Sequence, residues 1–218
     1  GLGGAPGLVI NAPTSVVTTT GLNPNVNSKG GIHGVVTKAT GGIVTYDGAY
    51  AIHTFLSPQD VFTLWQASVN VEVLVVGGGG GGFIGGGGGG EIVLSTLIIT
   101  DVTTTVFVGS GGQYRDLAPS LEFPGGDSSF GAIVAVGGGT CNAEVGGDGA
   151  CGSGAPFPIP PATEVPGGIG VWFDGGAGLY DDVSGEVGGG GGAGMGNAGT
   201  PGVGTSGTGG DGADGPAE

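Results

Sequence analysis

Two runs of six glycines, residues 77–82 and 85–90, flank the dipeptide Phe83-Ile84. A flexible linker would contain serine and would not sit between two strongly apolar segments. The alternative is polyglycine II, an extended helix with three residues per turn and a rise of about 3.1 Å per residue, so six residues span roughly 19 Å. The apolar segment 71–76 would span about 20 Å as a strand. Because the lengths match, we predict a hairpin of two ordered glycine arms with Phe83-Ile84 at its tip.

The rest of the composition indicates whether the chain can form a hydrophobic core against which such arms would pack. The chain has 218 residues with 59 glycines and 13 prolines, a proportion that is typical of low-complexity sequence. Yet 38% of the residues are hydrophobic, which is more than a disordered chain carries. Clustered glycine also removes helix propensity. These counts predict a folded, glycine-dominated chain with negligible α-helix.

Strand signals begin near residue 41. The segment "IVTYDGAY" places Asp47-Gly48 between two β-favouring runs, which is a hairpin signal. Further strands are predicted in "YAIHTFL", "VFTLWQA", "VNVEVLVV", "EIVLSTLIIT", "VTTTVFVG" and "FGAIVAV". The fold class expected from these patterns is all-β, a β-sandwich with packed polyglycine-II helices.

Three regions follow from the changes in composition. Residues 1–40 are predicted to be an extended attachment segment, residues 41–139 a β-sandwich with the inserted glycine hairpin, and residues 140–218 a glycine-rich region with loop tips. Near the end of the chain glycine recurs at every third residue in short fragments such as Gly196, Gly199 and Gly202. Collagen needs an unbroken three-residue register and more proline. Interrupted fragments favour several short polyglycine-II segments instead.

Two sequence motifs resemble the glycine-rich domain of bacteriophage tail-fibre and other virion proteins: "VEVLVVGGGGGG", a strand that enters a glycine block, and the later "GGDSSFG". The resemblance covers about residues 45–139. It implies a β-sandwich fused to a polyglycine-II bundle, carried on a virus particle and often involved in host attachment. Phage fibres are commonly trimeric, so the resemblance also implies a homotrimer.

The charge balance excludes one class of partner. Three basic residues stand against 18 acidic ones, for a net charge of −15, so the chain cannot neutralise a nucleic-acid backbone. No apolar run approaches the length of a membrane span, and we expect no membrane insertion. Glycine spacings that match nucleotide-binding loops lack the helix that such loops need. A fibre-borne depolymerase would need a pair of carboxylates near aromatic residues that bind sugar, and the sequence alone does not pair its acidic residues. We expect a protein that is not an enzyme.

Cysteines and acidic residues are the remaining candidates for site chemistry. Cys141 and Cys151 would form a disulfide in an oxidising environment or remain two thiols. No cofactor is expected, and the one to consider is calcium. Asp211 and Asp214 fit one copy of a calcium-binding nonapeptide, but such nonapeptides bind the ion only when several copies stack on each other. A second acidic group consists of Asp174, Asp181, Asp182 and Glu186. Solvated surface charge is the alternative for both groups.

The aromatic residues fall into two sets. Those within or beside predicted strands are expected in the core, namely Phe55, Phe62, Trp65, Phe107 and Phe130. The others lie in non-glycine islands between glycine segments, the islands being 83–84, 113–123, 157–165 and 179–187. These islands either close the end of the bundle or bind a receptor. The receptor-binding candidates are Phe83, Ile84, Tyr114, Arg115, Phe157, Ile159, Tyr180, Asp181 and Asp182.

The expected function is a non-enzymatic structural or adhesive virion protein, a tail-fibre component that contacts a host-surface glycan or protein. Its partners would be other copies of itself and other virion proteins, and it would lie on the extracellular particle. The alternative is an extracellular glycine-rich scaffold or an ice-binding protein of the polyproline-II bundle type.

Overall fold

The computed structural model describes residues 7–13, 15–16, 35–36, 39–47, 50–65, 68–113, 123–141, 144–156, 158, 164–181, 186–196, 198–203 and 206–207. Over these residues the protein is all-β, with strands and no helix. The first twelve strands are β1 (Gly7–Pro13), β2 (Ser15–Val16), β3 (Val35–Val36), β4 (Ala39–Thr40), β5 (Ile43–Asp47), β6 (Tyr50–Phe55), β7 (Gln59–Leu64), β8 (Val69–Val76), β9 (Ile92–Ile99), β10 (Thr103–Phe107), β11 (Ser128–Phe130) and β12 (Ile133–Ala135). The short strands that follow are β13 (Gly149–Cys151), β14 (Glu164–Val165), β15 (Gly170–Phe173), β16 (Gly178–Asp181), β17 (Glu186–Gly188), β18 (Gly202–Val203) and β19 (Ser206–Gly207).

Two five-stranded antiparallel sheets carry most of the regular structure. The first has the order β5-β6-β1-β8-β9 and the second the order β12-β11-β10-β7-β4. Strands β5 and β6 pair with Asp47 opposite Tyr50, so the hairpin predicted at Asp47-Gly48 is confirmed. The turn from the second sheet into the first passes through Gly41 and Gly42, whose φ angles of 119° and 61° favour glycine.

One hydrophobic core joins the two sheets. Strand β8 buries Val69, Val71, Val73 and Val75 on one face, as the alternation of its sequence predicts. Phe55 of β6 joins them from the same sheet, and the second sheet contributes Phe62, Leu64, Val106, Phe130 and Ala135. Because both sheets supply buried side chains to the same cluster, they stabilise each other.

A buried histidine lies within this core. The Nδ1–H of His53 donates to the carbonyl oxygen of Gly41 over 2.8 Å, and the ring packs edge-on against Phe62. The Nε2 atom has no hydrogen-bond partner. His53 therefore acts as a core side chain that fixes the turn between the two sheets.

Two aromatic residues expected in the core lie outside it. Trp65 is 71% exposed and Phe107 is 44% exposed. Successive side chains on a strand point to opposite faces, and the preceding residues Leu64 and Val106 both face inward. That prediction was wrong for these two residues because it ignored strand alternation.

The segment "FGAIVAV" is a second correction. It was predicted as one strand, but Gly131 adopts a φ of 56° and turns the chain between β11 and β12. These strands pair with Phe130 opposite Ile133, so the segment forms a tight hairpin at the edge of the second sheet.

Extended glycine-rich segments leave the sheets and pack against each other. We call them the glycine arms, and together the glycine bundle; they are residues 77–82, 85–90, 109–113, 123–127, 136–141, 146–156, 166–169, 174–177, 188–194 and 198–202. Outside the short ladders of β13, β17 and β18, their backbone groups bond to several neighbouring arms instead of forming a ladder with one partner. The bundle is therefore a layered backbone structure beside the side-chain core.

Hydrogen bonds along the first arm repeat every three residues. The N–H of Gly77 donates to Glu91 and that of Gly80 to Gly88, over 2.9 and 2.8 Å. The next residue in each turn bonds to a different arm. The N–H of Gly78 donates to the carbonyl oxygen of Gly126, and the N–H of Gly81 donates to that of Phe123. Three residues per turn is the period of polyglycine II. One arm thus contacts several neighbours through its backbone alone.

Close backbone packing explains why these positions are glycine. A Cβ atom at Gly88 would clash with the carbonyl oxygen of Cys151, and one at Gly125 would clash with the carbonyl oxygen of Gly78. Gly89 differs, since the nearest atom to its Cβ position lies 3.5 Å away. Most arm positions therefore exclude any side chain, and a few have room for a methyl group.

Candidate functional site

The glycine hairpin defines two ends of the bundle. It leaves the first sheet directly after Val76 and returns to it at Ile92, so the Phe83-Ile84 tip lies roughly 19 Å from the sheet. We call the level of this tip the distal end and the level of Gly77 and Glu91 the proximal end. Ile84 is 39% exposed and Phe83 is partly buried. The first predicted island therefore forms part of the distal end.

The second island begins and ends toward the distal end. The N–H of Gly112 donates to the carbonyl oxygen of Gly79 over 2.7 Å, and that of Gly81 to the carbonyl oxygen of Phe123 over 3.3 Å. Gln113 is exposed at the start of the island. The candidates Tyr114 and Arg115 lie outside the described residues.

The third island also starts at the distal end. The N–H of Gly154 donates to Gly86 over 2.8 Å, which places the next residues level with the hairpin tip. Pro156 and Pro158 are fully buried, so this island closes part of the bundle. The candidates Phe157 and Ile159 lie outside the described residues.

The fourth island meets the first and the third. Glycine 189 lies against the tip, with its Cβ position 2.6 Å from the carbonyl oxygen of Ile84. Strands β14, β16 and β17 form one antiparallel sheet, in which Glu164 of the third island pairs with Leu179 of the fourth. Backbone pairing thus joins the third and fourth islands, and the close approach of Gly189 to Ile84 places the first island beside them on one distal surface.

The receptor-binding candidates of the fourth island are only partly described. Tyr180 is half-buried and pairs with Val187 across the β16–β17 hairpin. Asp181 pairs with Glu186 through the backbone, while its side chain and all of Asp182 lie outside the described residues. This hairpin brings Tyr180 to the same small sheet as Glu164.

Two further segments reach the distal end and were missed in the sequence. The N–H of Cys141 donates to Gly81 over 3.2 Å, and Cys141 pairs with Gly146, so the turn containing exposed Val145 lies at this level. The β18–β19 hairpin begins at Gly202, whose Cβ position faces the carbonyl oxygen of Gly188. Both segments are too short and glycine-rich to stand out as islands.

A different apolar surface lies at the proximal end. Ile169, Val171 and Trp172 are 68%, 75% and 53% exposed on the turn around β15. Val136, Ile169 and Val171 line an open groove of about 450 Å³ together with Asp148. Trp172 was not singled out in the sequence, because the run Val171-Trp172-Phe173 is too short to carry a periodic signal.

Cys141 and Cys151 are separate buried thiols, so the disulfide considered from the sequence is not formed. The N–H of Gly139 donates to the carbonyl oxygen of Cys151, which sets Cys151 level with Gly139. Cys141 then lies two residues, or about 6 Å, farther along the arm. Added to the spacing between arms, this offset exceeds the reach of a relaxed disulfide.

The thiol of Cys141 lies beside the hairpin tip. Burial raises its pKa, while the backbone N–H groups of Gly85, Ile84 and Phe83 act in the opposite direction. The N–H of Gly85 donates to Cys141 Sγ over 3.3 Å. Burial and the charge of Glu91 raise the pKa of Cys151. Both groups are thus held as neutral thiols that contribute to packing.

Acidic side chains accept backbone hydrogen bonds at the proximal end. Asp148 accepts from the N–H of Ile169 over 2.7 Å and Asp174 accepts from that of Gly170 over 2.9 Å. Asp174 begins the arm 174–177 while Asp181 follows it, so the acidic group seen in the sequence is divided between the two ends. Over the described part of the chain no group of three or more potential ligands could hold a metal ion. Asp211 and Asp214 lie outside that part.

Comparison with known proteins gives one match. A family model described as a glycine-rich domain matches residues 57–217, which is well over half of the chain. Neither the curated proteins nor the solved structures include a match. Within the described ranges, no helix has the length and hydropathy needed to cross a membrane. The matched residues include the glycine hairpin and all four islands, and the chain therefore belongs to the glycine-rich domain family.

Proposed function

We propose that this protein is a non-enzymatic structural and adhesive component of a virus particle, of the bacteriophage tail-fibre type. Its distal end would bind a glycan or a protein on the host surface. The observation that supports this proposal is the convergence of the islands: Ile84 contacts Gly189, and Glu164 pairs with Leu179. Residues that are far apart in the chain thus share one surface.

The chemistry of the bundle favours recognition at its ends. The glycines of the arms use their backbone groups to bond each other and carry no side chains that could distinguish one ligand from another, whereas the distal end brings the islands together. Loops at the end of a rigid scaffold are where binding residues are usually found. Aromatic and arginine side chains supply much of the energy of many interfaces, and Tyr114, Arg115, Phe157 and Tyr180 are of these types.

The same proposal covers assembly and location. A fibre component would associate with copies of itself, as a trimer in the commonest fibre arrangement, and with other virion proteins. Closed cyclic symmetry is the usual form of such homo-oligomers. The net charge of −15 disfavours any contact with packaged nucleic acid. The protein would therefore act on the outside of the particle.

Adsorption of virus particles to host cells tests the proposal. Particles are prepared with the combined variant Tyr114→Ala, Arg115→Ala, Phe157→Ala and Tyr180→Ala. We expect adsorption to fall by roughly tenfold or more, since loss of even one strong anchor costs about 2 kcal/mol.

The matched control changes exposed residues at the proximal end, Val171→Ala with Trp172→Ala. These particles should adsorb like the wild type. If the distal variant assembles normally and also adsorbs like the wild type, the islands only close the bundle and the proposal is wrong.

A further inference from the structure

The N-terminal strand occupies the centre of a sheet formed mainly by later residues. Strand β1 lies between β6 and β8 and runs antiparallel to both. Its residues pair from Leu8 opposite Phe55 to Pro13 opposite Tyr50 on one side. On the other side the pairs run from Gly7 opposite Val76 to Asn11 opposite Glu72. Of the seven residues of β1, six are therefore in register with β6 and five with β8.

Among the described strands, β1 alone links the two halves of the first sheet. Without it, the sheet divides into the hairpin β5–β6 and the hairpin β8–β9, with the facing edges of β6 and β8 unpaired. Both edges cover core residues, because Phe55 of β6 and Val73 of β8 are fully buried. Unpaired edges of this kind readily accept an added strand.

The connection between β1 and β4 is longer than any other between consecutive described strands of the two sheets. From β4 to β8 the connections are two to four residues long, whereas residues 14–38 separate β1 from β4. Fully extended, that connection reaches about 85 Å. The pairing described within it is the two-residue ladder of β2 with β3. So short a ladder gives little resistance to opening.

We propose that β1 is an exchangeable strand, which fills the slot between β6 and β8 of a neighbouring copy of this chain. An identical strand makes identical backbone bonds, so the choice between its own slot and a neighbour's depends on the effective concentration of each. The sequence "GLVINAP" carries no charge, so its insertion adds no repulsion at the junction. Exchange of this kind closes rings of copies at low energetic cost. This proposal concerns assembly and does not rest on host attachment.

Cross-linking between differently tagged full-length chains tests the exchange. One chain carries Asn11→Cys and the other Glu72→Cys, which are register partners across β1 and β8. Their Cα spacing in an antiparallel ladder is within the reach of a disulfide. The chains are refolded together at high concentration, oxidised and resolved by mass without reduction. Random mixing predicts a mixed disulfide at about a quarter of all junctions, whatever the ring size.

The control mixture combines Glu72→Cys with Thr96→Cys, which are register partners inside the β8–β9 hairpin. Exchange of β1 leaves this pair within one chain, so mixed products should stay at the wild-type background. The double variant Asn11→Cys/Glu72→Cys tests whether β1 lies beside β8 at all. If it cross-links only within single chains and the mixture gives no mixed product, the exchange is ruled out. If the double variant never cross-links, β1 does not occupy the slot and the proposal also fails.

Discussion

At the scale of single residues, the bundle depends on which glycines face a neighbouring arm and which do not. Adjacent positions in one arm differ sharply, because a three-residue turn directs each Cα toward different surroundings. The Cβ position of Gly88 meets a backbone carbonyl, while that of Gly89 meets only ordinary contacts. Composition alone would treat these two glycines as equivalent.

We expect Gly88→Ala to destabilise the protein and Gly89→Ala to leave it nearly unchanged. The first variant must displace the carbonyl of Cys151, and such overpacking costs about 1–3 kcal/mol. The second fills available space and restricts the unfolded chain, an effect of about 0.4–1 kcal/mol in favour of folding. Free energies of unfolding from denaturant titration measure both. Equal losses for the two variants would contradict the packing described here.

The two buried thiols predict a dependence of stability on alkaline pH. Burial raises the pKa of Cys141 and of Cys151 above the ordinary 9.0. The unfolded chain therefore loses these protons first, and stability that is complete below about pH 8 falls as the pH rises toward the folded-state values. The free energy of unfolding should fall more steeply with pH in the wild type than in Cys141→Ala/Cys151→Ala. Parallel curves would show that burial does not hold these groups neutral.

At the scale of elements, local sequence patterns predict the hairpins but not the neighbours of each strand. The Asp47-Gly48 signal predicted the β5–β6 hairpin, and the alternation in β8 predicted which of its faces is buried. The central position of β1 could not be predicted, because pairing across long sequence separation leaves no local pattern. For the same reason the third and fourth islands could be recognised separately, but not the β14–β16 pairing that joins them.

The three-residue phase of hydrogen bonds within an arm should affect thermal stability more than the length of the hairpin tip does. Inserting one glycine between Ala150 and Cys151 shifts the following residues by a third of a turn, which sets them against the wrong neighbours. Inserting one glycine between Phe83 and Ile84 extends only the tip. Thermal unfolding should show a drop in Tm of several degrees for the first variant and a small change for the second. Similar drops would indicate that the arms have no fixed three-residue phase.

At the scale of the whole molecule, a side-chain core supports a second region held by backbone hydrogen bonds. The two equal six-glycine runs predict the hairpin, because arms of equal length can lie side by side; the preceding strand β8, with eight residues, is longer than the segment 71–76 assumed from the sequence. Which arms contact each other was not predictable, because glycines carry no side chains that identify a partner. The segment near Cys141 reaches the distal end, where the N–H of Cys141 donates a hydrogen bond to the carbonyl oxygen of Gly81. No sequence motif predicts this contact.

Hydrogen exchange across residues 77–90 tests the central claim that the glycine arms are an ordered bundle. The amide hydrogens of Gly77, Gly80 and Gly88 bond to neighbouring arms and should exchange at least about a hundredfold more slowly than in an unfolded chain. A short unstructured peptide with the sequence of residues 77–90 provides the reference rate. Exchange at the unfolded-chain rate throughout residues 77–90 would show that the runs are flexible linkers and would contradict this account.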